Sequence, residues 1–311
     1  MFPLIIASSI AAISSSSWVL IWIFIEINSL RLCSILSKDL KKERSYSHPV
    51  LTYLVIQLSA SVILLICVNF TSLSRLPLLF CVCRILLKRG VWPLHLWYLK
   101  TLQPLKIKTQ RIKIIITWQK LLPMLILFYF PWKIILIAAA AFSIITPLKK
   151  LKKASSIKSI LILSSLNNNG WFLISILCSP FIFFIYFIIY SSSLVVSLNF
   201  LRNLKAKLTL LRKAFYDAII LVGNIGRIPP SVIFLGKISV IYCLLTVSIP
   251  KIFLVLIITI SCVFCYHYLW GVLSLLINLP SKTQLSFEEK SLTGTIIIFL
   301  SILCLWVLCL G

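Results

Sequence analysis

Long apolar runs of membrane-spanning length are the feature that most restricts what this chain can fold into. A bilayer core about 30 Å thick is crossed by ~20 apolar residues in a helix, with a range of ~17–25. By that measure we predict about eleven spans, at roughly 2–14, 17–36, 50–70, 77–97, 113–130, 132–148, 157–178, 180–200, 216–235, 237–276 and 292–310. Because Pro229, Pro230 and Pro250 interrupt the ninth and tenth runs, the tenth is either one kinked span or a hairpin with the segment before it. The predicted fold is an all-α, polytopic transmembrane helix bundle, with residues 1–311 forming a single membrane domain.

The composition supports lipid as the solvent of most of the chain. Hydrophobic residues make up 60% of it and charged residues only 12%, a mixture that an ordinary soluble domain could not keep in solution. The net charge of +25 alone would suggest a nucleic-acid-binding protein. The basic residues, however, lie between the apolar runs, where they meet anionic headgroups. We therefore expect phospholipids as partners, and no nucleic acid.

The distribution of basic residues between the connections predicts the orientation. Even-numbered connections contain cationic runs such as KDLKKER at residues 38–44 and LKKLKK at residues 148–153, whereas odd-numbered connections contain Arg75, Lys133 and Lys251. Cytoplasmic or matrix loops of membrane proteins carry such an excess of Lys and Arg. The even connections and the N-terminus are therefore predicted to face the matrix or cytoplasm, and the C-terminus the opposite side.

Several ionisable residues remain inside the predicted spans or at their ends. Each costs ~2.5–3.5 kcal/mol at bilayer depth, so such residues normally face a protein interior or a hydrated cavity. Glu26 is the one acid deep in a span, and its short carboxylate cannot reach the interface easily. Together these residues predict a polar path through the bundle, with snorkelling as the alternative for Arg31, Arg84 and Arg89. The basic members of the set are Arg31, Arg84, Lys88, Arg89, Lys120, Arg227 and Lys237.

Helix-breaking residues accompany two of these lysines. A helix broken at membrane depth exposes carbonyls and amides, which is tolerated only where they line protein or water. We therefore predict two discontinuous helices of the kind that lines a transporter interior, although each proline alone also suits an ordinary kink. The breakers near Lys88 are Gly90 and Pro93, and those before Lys237 are Gly226, Pro229 and Pro230.

Four motifs occur in the order and spacing of a known family. They are WIFIEIN at residues 22–28, KRGVWPLHLW from Lys88 to Trp97, TWQKLLP from Thr117 to Pro123, and GRIPPSVIFLGK from Gly226 to Lys237, with SSLNNNGW from Ser164 to Trp171 as a weaker match. In these motifs the chain resembles the chain 2 family of mitochondrial NADH-ubiquinone oxidoreductase. TWQK followed by a proline is the most specific piece. The resemblance runs from about residue 17 to residue 240, and beyond it only the hydrophobicity is similar.

The resemblance implies an antiporter-like module of respiratory complex I, and it implies roles for individual residues. Glu26 corresponds to the family's membrane glutamate, Lys88 to its partner lysine, Lys120 to the central lysine and Lys237 to the lysine beside the second broken helix. His95 corresponds to the histidine after the first break, where a neutral imidazole could pass protons along a water chain. A lone histidine in an apolar helix is as often merely hydrogen-bonded. Proton translocation by these five residues is therefore an expectation from the family.

The sequence also departs from the family pattern. Arg89 and Arg227 stand where the family usually has uncharged residues, and Asn168 replaces a common histidine. Lys158 and Ser159 fall where the family has an Arg-Lys pair. Two extra cations near the proposed path require partners that the sequence does not identify, so the proton route in this half of the protein cannot simply be carried over.

Redox chemistry is expected in partner subunits. The sequence has no G-x-G-x-x-G after a strand, no P-loop and no cysteine-rich cluster, and Cys262 and Cys265 are interpreted as buried thiols in an apolar run. The chain itself is therefore expected to hold no cofactor and no metal, whereas NADH, FMN, iron–sulfur clusters and ubiquinone belong to partner subunits. The resemblance implies a location in the mitochondrial inner membrane. The implied partners are other membrane-arm subunits, especially neighbouring antiporter-like ones, and phospholipids such as cardiolipin.

Two alternatives stay open at this point. The chain could be a subunit of a cation/proton antiporter without a redox partner, which uses similar modules. It could also be a structural scaffold whose buried charges form inert ion pairs. Neutralising Lys120 would leave pumping intact if the scaffold alternative were correct.

Overall fold

The computed structural model describes residues 2–15, 17–40, 47–69, 75–103, 124, 127, 133–151, 157–206, 232–246 and 251–277. Within these residues the chain forms ten α-helices and no strand, which confirms the all-α prediction for this part of the sequence. In chain order the helices are α1 (Phe2–Ser14), α2 (Trp18–Leu40), α3 (Ser47–Asn69), α4 (Arg75–Arg89), α5 (Leu96–Leu102), α6 (Lys133–Leu151), α7 (Ile157–Cys178), α8 (Pro180–Ala206), α9 (Val232–Thr246) and α10 (Lys251–Ile277).

Three of the described helices are long and apolar enough to cross a membrane by length and composition. The qualifying segments are Val50–Cys67 in α3, Lys133–Leu151 in α6 and Ser159–Cys178 in α7. Shorter apolar segments of 10–17 residues occur in α8, α9 and α10. Among the described residues, these three segments could therefore span a bilayer by their length and composition.

Helix α3 shows the distribution of side chains that a lipid environment favours. One face exposes a stripe of aliphatic residues at helical spacing, whereas the opposite face buries Gln57 and Ser61. A helix in water would show the reverse arrangement, with its polar face outward. The stripe therefore suits contact with lipid tails. Its members are Leu51, Val55, Leu58, Val62 and Ile66.

The junction between α7 and α8 lies where the sequence predicts it. Helix α7 ends at Cys178, and α8 begins at Pro180, a residue whose fixed φ suits the first helical position. The Ser179 hydroxyl accepts a hydrogen bond from the Ile182 N–H at 3.2 Å, as an N-cap residue does. Local sequence signals therefore coincide with this boundary.

One predicted boundary was wrong, and one predicted span ends later than expected. The division between the ninth and tenth spans falls inside α9, which runs without interruption through Gly236 and Lys237. A glycine inside a helix costs only about 1 kcal/mol, and here it allows close packing: a Cβ at Gly236 would lie 3.0 Å from Tyr186 Cδ2. The fourth span, predicted as residues 77–97 with a break at Gly90 and Pro93, is divided into α4 and α5 by a break that follows Arg89, but it ends later than predicted because α5 continues to Leu102.

Helix α7 forms the centre of the described bundle. It packs against α6 on one side and against α8 and α9 on the other, and it is buried along almost all of its length. Gly170 permits the closest approach to α6, since a Cβ there would lie 2.9 Å from the Ala140 carbonyl oxygen. Helices α1 to α4 pack in sequence beside this centre, and α3 also contacts α5. Polar residues of α7 are thereby held deep in the protein.

Candidate functional site

A buried ion pair joins α2 and α4. The Lys88 ammonium donates a hydrogen bond to Glu26 Oε1 at 3.1 Å, and both side chains are largely removed from solvent. The Ser29 hydroxyl, one turn along α2, lies 2.8 Å from the Glu26 carbonyl oxygen and 3.3 Å from Glu26 Oε2. Glu26 thus has a cation on one carboxylate oxygen and a hydroxyl within reach of the other. The structure brings these two sequence-predicted residues together across 62 positions of the chain.

Helix α4 ends immediately after the lysine of this pair. Gly90 adopts φ +66°, a conformation that glycine adopts without a steric penalty. The Gly90 N–H donates to the Leu87 carbonyl at 3.0 Å and the Val91 N–H to the Leu86 carbonyl at 3.1 Å. These two bonds form a Schellman motif, which terminates a helix and satisfies its last carbonyls. Pro93 follows within the non-helical segment, where the Trp92–Pro93 peptide bond is cis.

Side chains from three other positions complete the end of α4. The Leu87 carbonyl accepts a bond from Trp97 Nε1 at 2.9 Å, the Lys88 carbonyl from Gln57 Nε2 at 3.3 Å, and the Arg89 carbonyl from Asn169 Nδ2 at 3.4 Å. Each exposed carbonyl of the broken helix thereby has a donor, which a break at membrane depth requires. Helices α3 and α7 hold the broken end in place. The ammonium of Lys88 is thus fixed beside Glu26.

His95 lies on the far side of the break. It immediately precedes α5, is partly exposed and makes no side-chain capping bond to that helix. The structure thus places His95 between the break at Gly90 and Pro93 and the start of α5. The role of His95 in proton transfer stays a prediction.

Lys237 occupies a second buried cationic position. It is 4% exposed on α9, and its ammonium lies 4.9 Å from the centroid of the Trp171 ring on α7. An ammonium over an aromatic face gains electrostatic stabilisation that grows when water is excluded. Trp171 and Asn169, which bonds to the end of α4, belong to the same turn of α7. Helix α7 therefore connects the two lysine positions.

A polar segment of α7 directly precedes Trp171. Asn167 and Asn168 are 0% exposed, and Asn168 Oδ1 accepts a hydrogen bond from the Tyr186 hydroxyl at 3.1 Å. One turn earlier, the Ser165 and Tyr98 hydroxyls are hydrogen-bonded at 2.8 Å, linking α7 to α5. Burying a polar group costs free energy unless it is hydrogen-bonded, so a cluster of them inside a membrane protein indicates a structural or transport role. The Tyr186 hydroxyl thus donates to Asn168, the residue that stands where the resembled family commonly has a histidine.

Sequence reasoning did not identify two residues that hold the site together. Gln57 and Asn169 both donate to the end of α4, and neither was selected as a site residue. The signals were present, because Gln57 is a lone amide in an apolar run and Asn169 lies in the NNN segment. Their contacts with α4 could not be inferred, since they depend on how distant helices pack.

Several predicted residues lie outside the described part of the chain. Among the described residues, no group of three or more His, Cys, Asp or Glu side chains could hold a metal ion. Cys262 and Cys265 both belong to α10 and are partly exposed. The predicted residues outside the described ranges are Lys120, Gly226, Arg227, Pro229 and Pro230.

Comparison with known proteins identifies relatives that cover most of the chain. NADH-ubiquinone oxidoreductase chain 2 of Anopheles gambiae is 28% identical over 252 residues, covering 75% of this chain and 73% of the relative. The Albinaria caerulea protein of the same name is 29% identical over 282 residues, covering 86% and 85%. The Locusta migratoria protein is 25% identical over 292 residues, covering 88% and 83%. No family model matches the chain.

Solved structures show where the fold recurs. A chain of respiratory complex I from Thermus thermophilus, solved with bound aureothin, aligns with a TM-score of 0.75 at 16% identity and covers 95% of this chain and 74% of that one. A chain of the Mrp complex from a Dietzia species aligns with a TM-score of 0.69 at 15% identity, covering 90% and 61%. Over most of its length, this chain resembles NADH-ubiquinone oxidoreductase chain 2 in sequence and shares its fold with one chain of respiratory complex I and one chain of the Mrp complex.

Proposed function

We propose that this chain is an antiporter-like core subunit in the membrane arm of respiratory complex I, contributing to proton translocation coupled to electron transfer from NADH to ubiquinone. The relatives named above supply the assignment to an oxidoreductase. The observation that carries the transport role is the buried Glu26–Lys88 pair at the end of a broken helix. Burying an ion pair and a helix break together inside a membrane protein is costly, and such costly features usually mark a functional site.

The pair can exist in two states that differ by the position of one proton. With the proton on Lys88, the ammonium and the Glu26 carboxylate form the ion pair observed at 3.1 Å. With the proton on Glu26, both groups are neutral. Hydration of the pocket favours the charged ion pair, whereas a dry pocket favours the neutral pair. A change in hydration driven from elsewhere in the complex would therefore move a proton locally, and water could then exchange it.

Onward transfer is assigned to the remaining predicted residues. Lys237, buried against Trp171, is proposed as a later acceptor on the same route. Lys120 is proposed as the central lysine between them, and His95 as a neutral imidazole at the first break. The breaks at Gly90 and Pro93, and at Gly226, Pro229 and Pro230, are proposed to admit water to this path.

The surroundings follow from the same assignment. The chain is proposed to cross the mitochondrial inner membrane about eleven times as a single membrane domain, with its N-terminus in the matrix because the cationic connections lie on that side. Its partners are neighbouring antiporter-like subunits and phospholipids such as cardiolipin, which the cationic loops would attract. NADH, FMN, iron–sulfur clusters and ubiquinone are bound by partner subunits, and this chain holds no redox centre.

One observation favours a second candidate, a cation/proton antiporter without a redox partner. The fold is shared with a chain of the Mrp complex at a TM-score of 0.69. The sequence relatives named above, however, are all chains of NADH-ubiquinone oxidoreductase. They place the respiratory assignment first.

Native electrophoresis of the detergent-solubilised membrane separates these candidates. We expect this chain, identified by peptide mass, to migrate in a large band that contains flavin and oxidises NADH in the gel. The matched comparison is the same membrane solubilised under conditions that dissociate the flavin-containing part, which should leave this chain in a smaller, redox-silent band. Finding the chain only in a redox-silent assembly under mild conditions would support the antiporter candidate.

A further inference from the structure

Arg89 is the least expected charge in the described core. It follows Lys88 directly, is 0% exposed, and stands where the resembled family usually has an uncharged residue. Lys88 and Arg89 contact different neighbours. Lys88 bonds to Glu26 of α2, whereas the Arg89 guanidinium carbon lies 5.3 Å from the ring centroid of Phe172 on α7. The broken end of α4 therefore directs one cation to each side.

The described surroundings do not neutralise this guanidinium. Its Nε, Nη1 and Nη2 atoms have no hydrogen-bond partner among the described residues. The hydroxyls of Tyr98 and Tyr190 interact with it electrostatically, but neutral phenols do not cancel its charge. The Phe172 ring face offers stabilisation by its quadrupole without changing the charge.

A guanidinium also keeps its proton under conditions where an ammonium can lose it. Arginine cannot be deprotonated in proteins, whereas lysine releases its proton when it is desolvated. Lys88 and Lys237 can therefore alternate between charged and neutral forms, but Arg89 is a constant positive charge. Among the described residues, the only buried carboxylate is that of Glu26, and it already forms an ion pair with Lys88.

The Arg89 guanidinium contacts the same turn of α7 that Lys237 contacts. Arg89 packs on Phe172, and Lys237 packs on Trp171, the adjacent residue of α7. The Asn169 side chain bonds to the Arg89 carbonyl one turn away on the same helix. A proton that moved from the Glu26–Lys88 pair toward Lys237 would pass this segment of α7.

We propose that Arg89 is a fixed electrostatic barrier between the Glu26–Lys88 pair and Lys237, which slows passive proton movement past this segment of α7 and which protons cross only when turnover supplies the energy. A positive charge in a narrow polar path raises the energy of any excess proton beside it, as arginines do in pores that exclude protons and cations. In a core of effective dielectric near 20, this repulsion acts over about 10 Å. The proposal rests on the proposed transport function, because a barrier matters only where a proton path exists.

Passive proton leak through the reconstituted native complex tests this role without any electron donor. The complex is placed in liposomes with a pH-sensitive dye inside, a potassium diffusion potential is imposed, and the initial rate of internal acidification is measured. We expect Arg89→Gln and Arg89→Met to raise the leak on the order of tenfold. Arg89→Lys, whose ammonium can lose its proton in this buried position, is expected to leak near the wild-type rate at acidic pH and faster as the pH rises.

Lys100→Gln provides the control, since it removes one positive charge from an exposed position in the last turn of α5. Its leak should equal that of the wild type. An unchanged leak in Arg89→Gln would overturn the proposal. A rise in Arg89→Lys that did not depend on pH would overturn it too, because altered packing rather than lost charge would then be responsible. NADH-driven pumping of the wild-type liposomes, measured separately, reports on the proposed function itself.

Discussion

At the scale of single residues, Glu26 and Lys88 depend on each other. Each side chain is buried, and each compensates the charge of the other at 3.1 Å. Replacing one partner leaves an uncompensated charge in the core, which destabilises a protein by ~3–5 kcal/mol, whereas replacing both with apolar or neutral groups is often nearly neutral. The pair is therefore expected to show strong coupling rather than additive losses.

A double-mutant cycle on the assembled complex measures this coupling. We expect Lys88→Met and Glu26→Gln each to lower the melting temperature of the native assembly, and the double variant to recover part of the loss. Lys100→Met serves as the matched control, since Lys100 is an exposed lysine in the last turn of α5 and should show little change. Losses that simply add in the double variant would contradict a direct ion pair.

At the scale of the elements, α7 positions most of the polar residues that approach the broken helix. Its close contact with α6 depends on Gly170, where a Cβ would lie 2.4 Å from Ile144 Cγ1 and 2.9 Å from the Ala140 carbonyl oxygen. The second of these atoms belongs to the backbone and cannot move without the helix. Any side chain at Gly170 therefore separates α6 from α7 and displaces the asparagines.

Gly170→Ala is expected to destabilise the assembly by ~1–3 kcal/mol through this overpacking. Gly236→Ala is the matched comparison, because the nearest atom there is a side-chain carbon of Tyr186 at 3.0 Å, which can shift by a few tenths of an ångström. Thermal inactivation of NADH oxidation by the purified complex compares the two variants. Equal half-lives would show that the contact between α6 and α7 tolerates more separation than this geometry implies.

At the scale of the whole molecule, sequence periodicity and apolar length predicted the all-α class and the ends of α1 and α7. Those ends coincide with local signals such as Ser179 and Pro180. The same reasoning placed a boundary at Gly236, whereas α9 continues through this glycine, which packs closely against Tyr186. Contacts between distant positions, such as Gln57 and Asn169 with the end of α4, arise from tertiary packing. No local pattern in the sequence encodes them.

The central claim is that the Glu26–Lys88 pair takes part in proton translocation by respiratory complex I. The number of protons pumped per NADH oxidised, measured with the reconstituted complex, tests it most directly. Asp39→Asn makes the same carboxylate-to-amide change near the end of α2 and should keep the wild-type ratio. For Glu26→Gln we predict a lower ratio in liposomes that still oxidise NADH; an unchanged ratio would contradict the account.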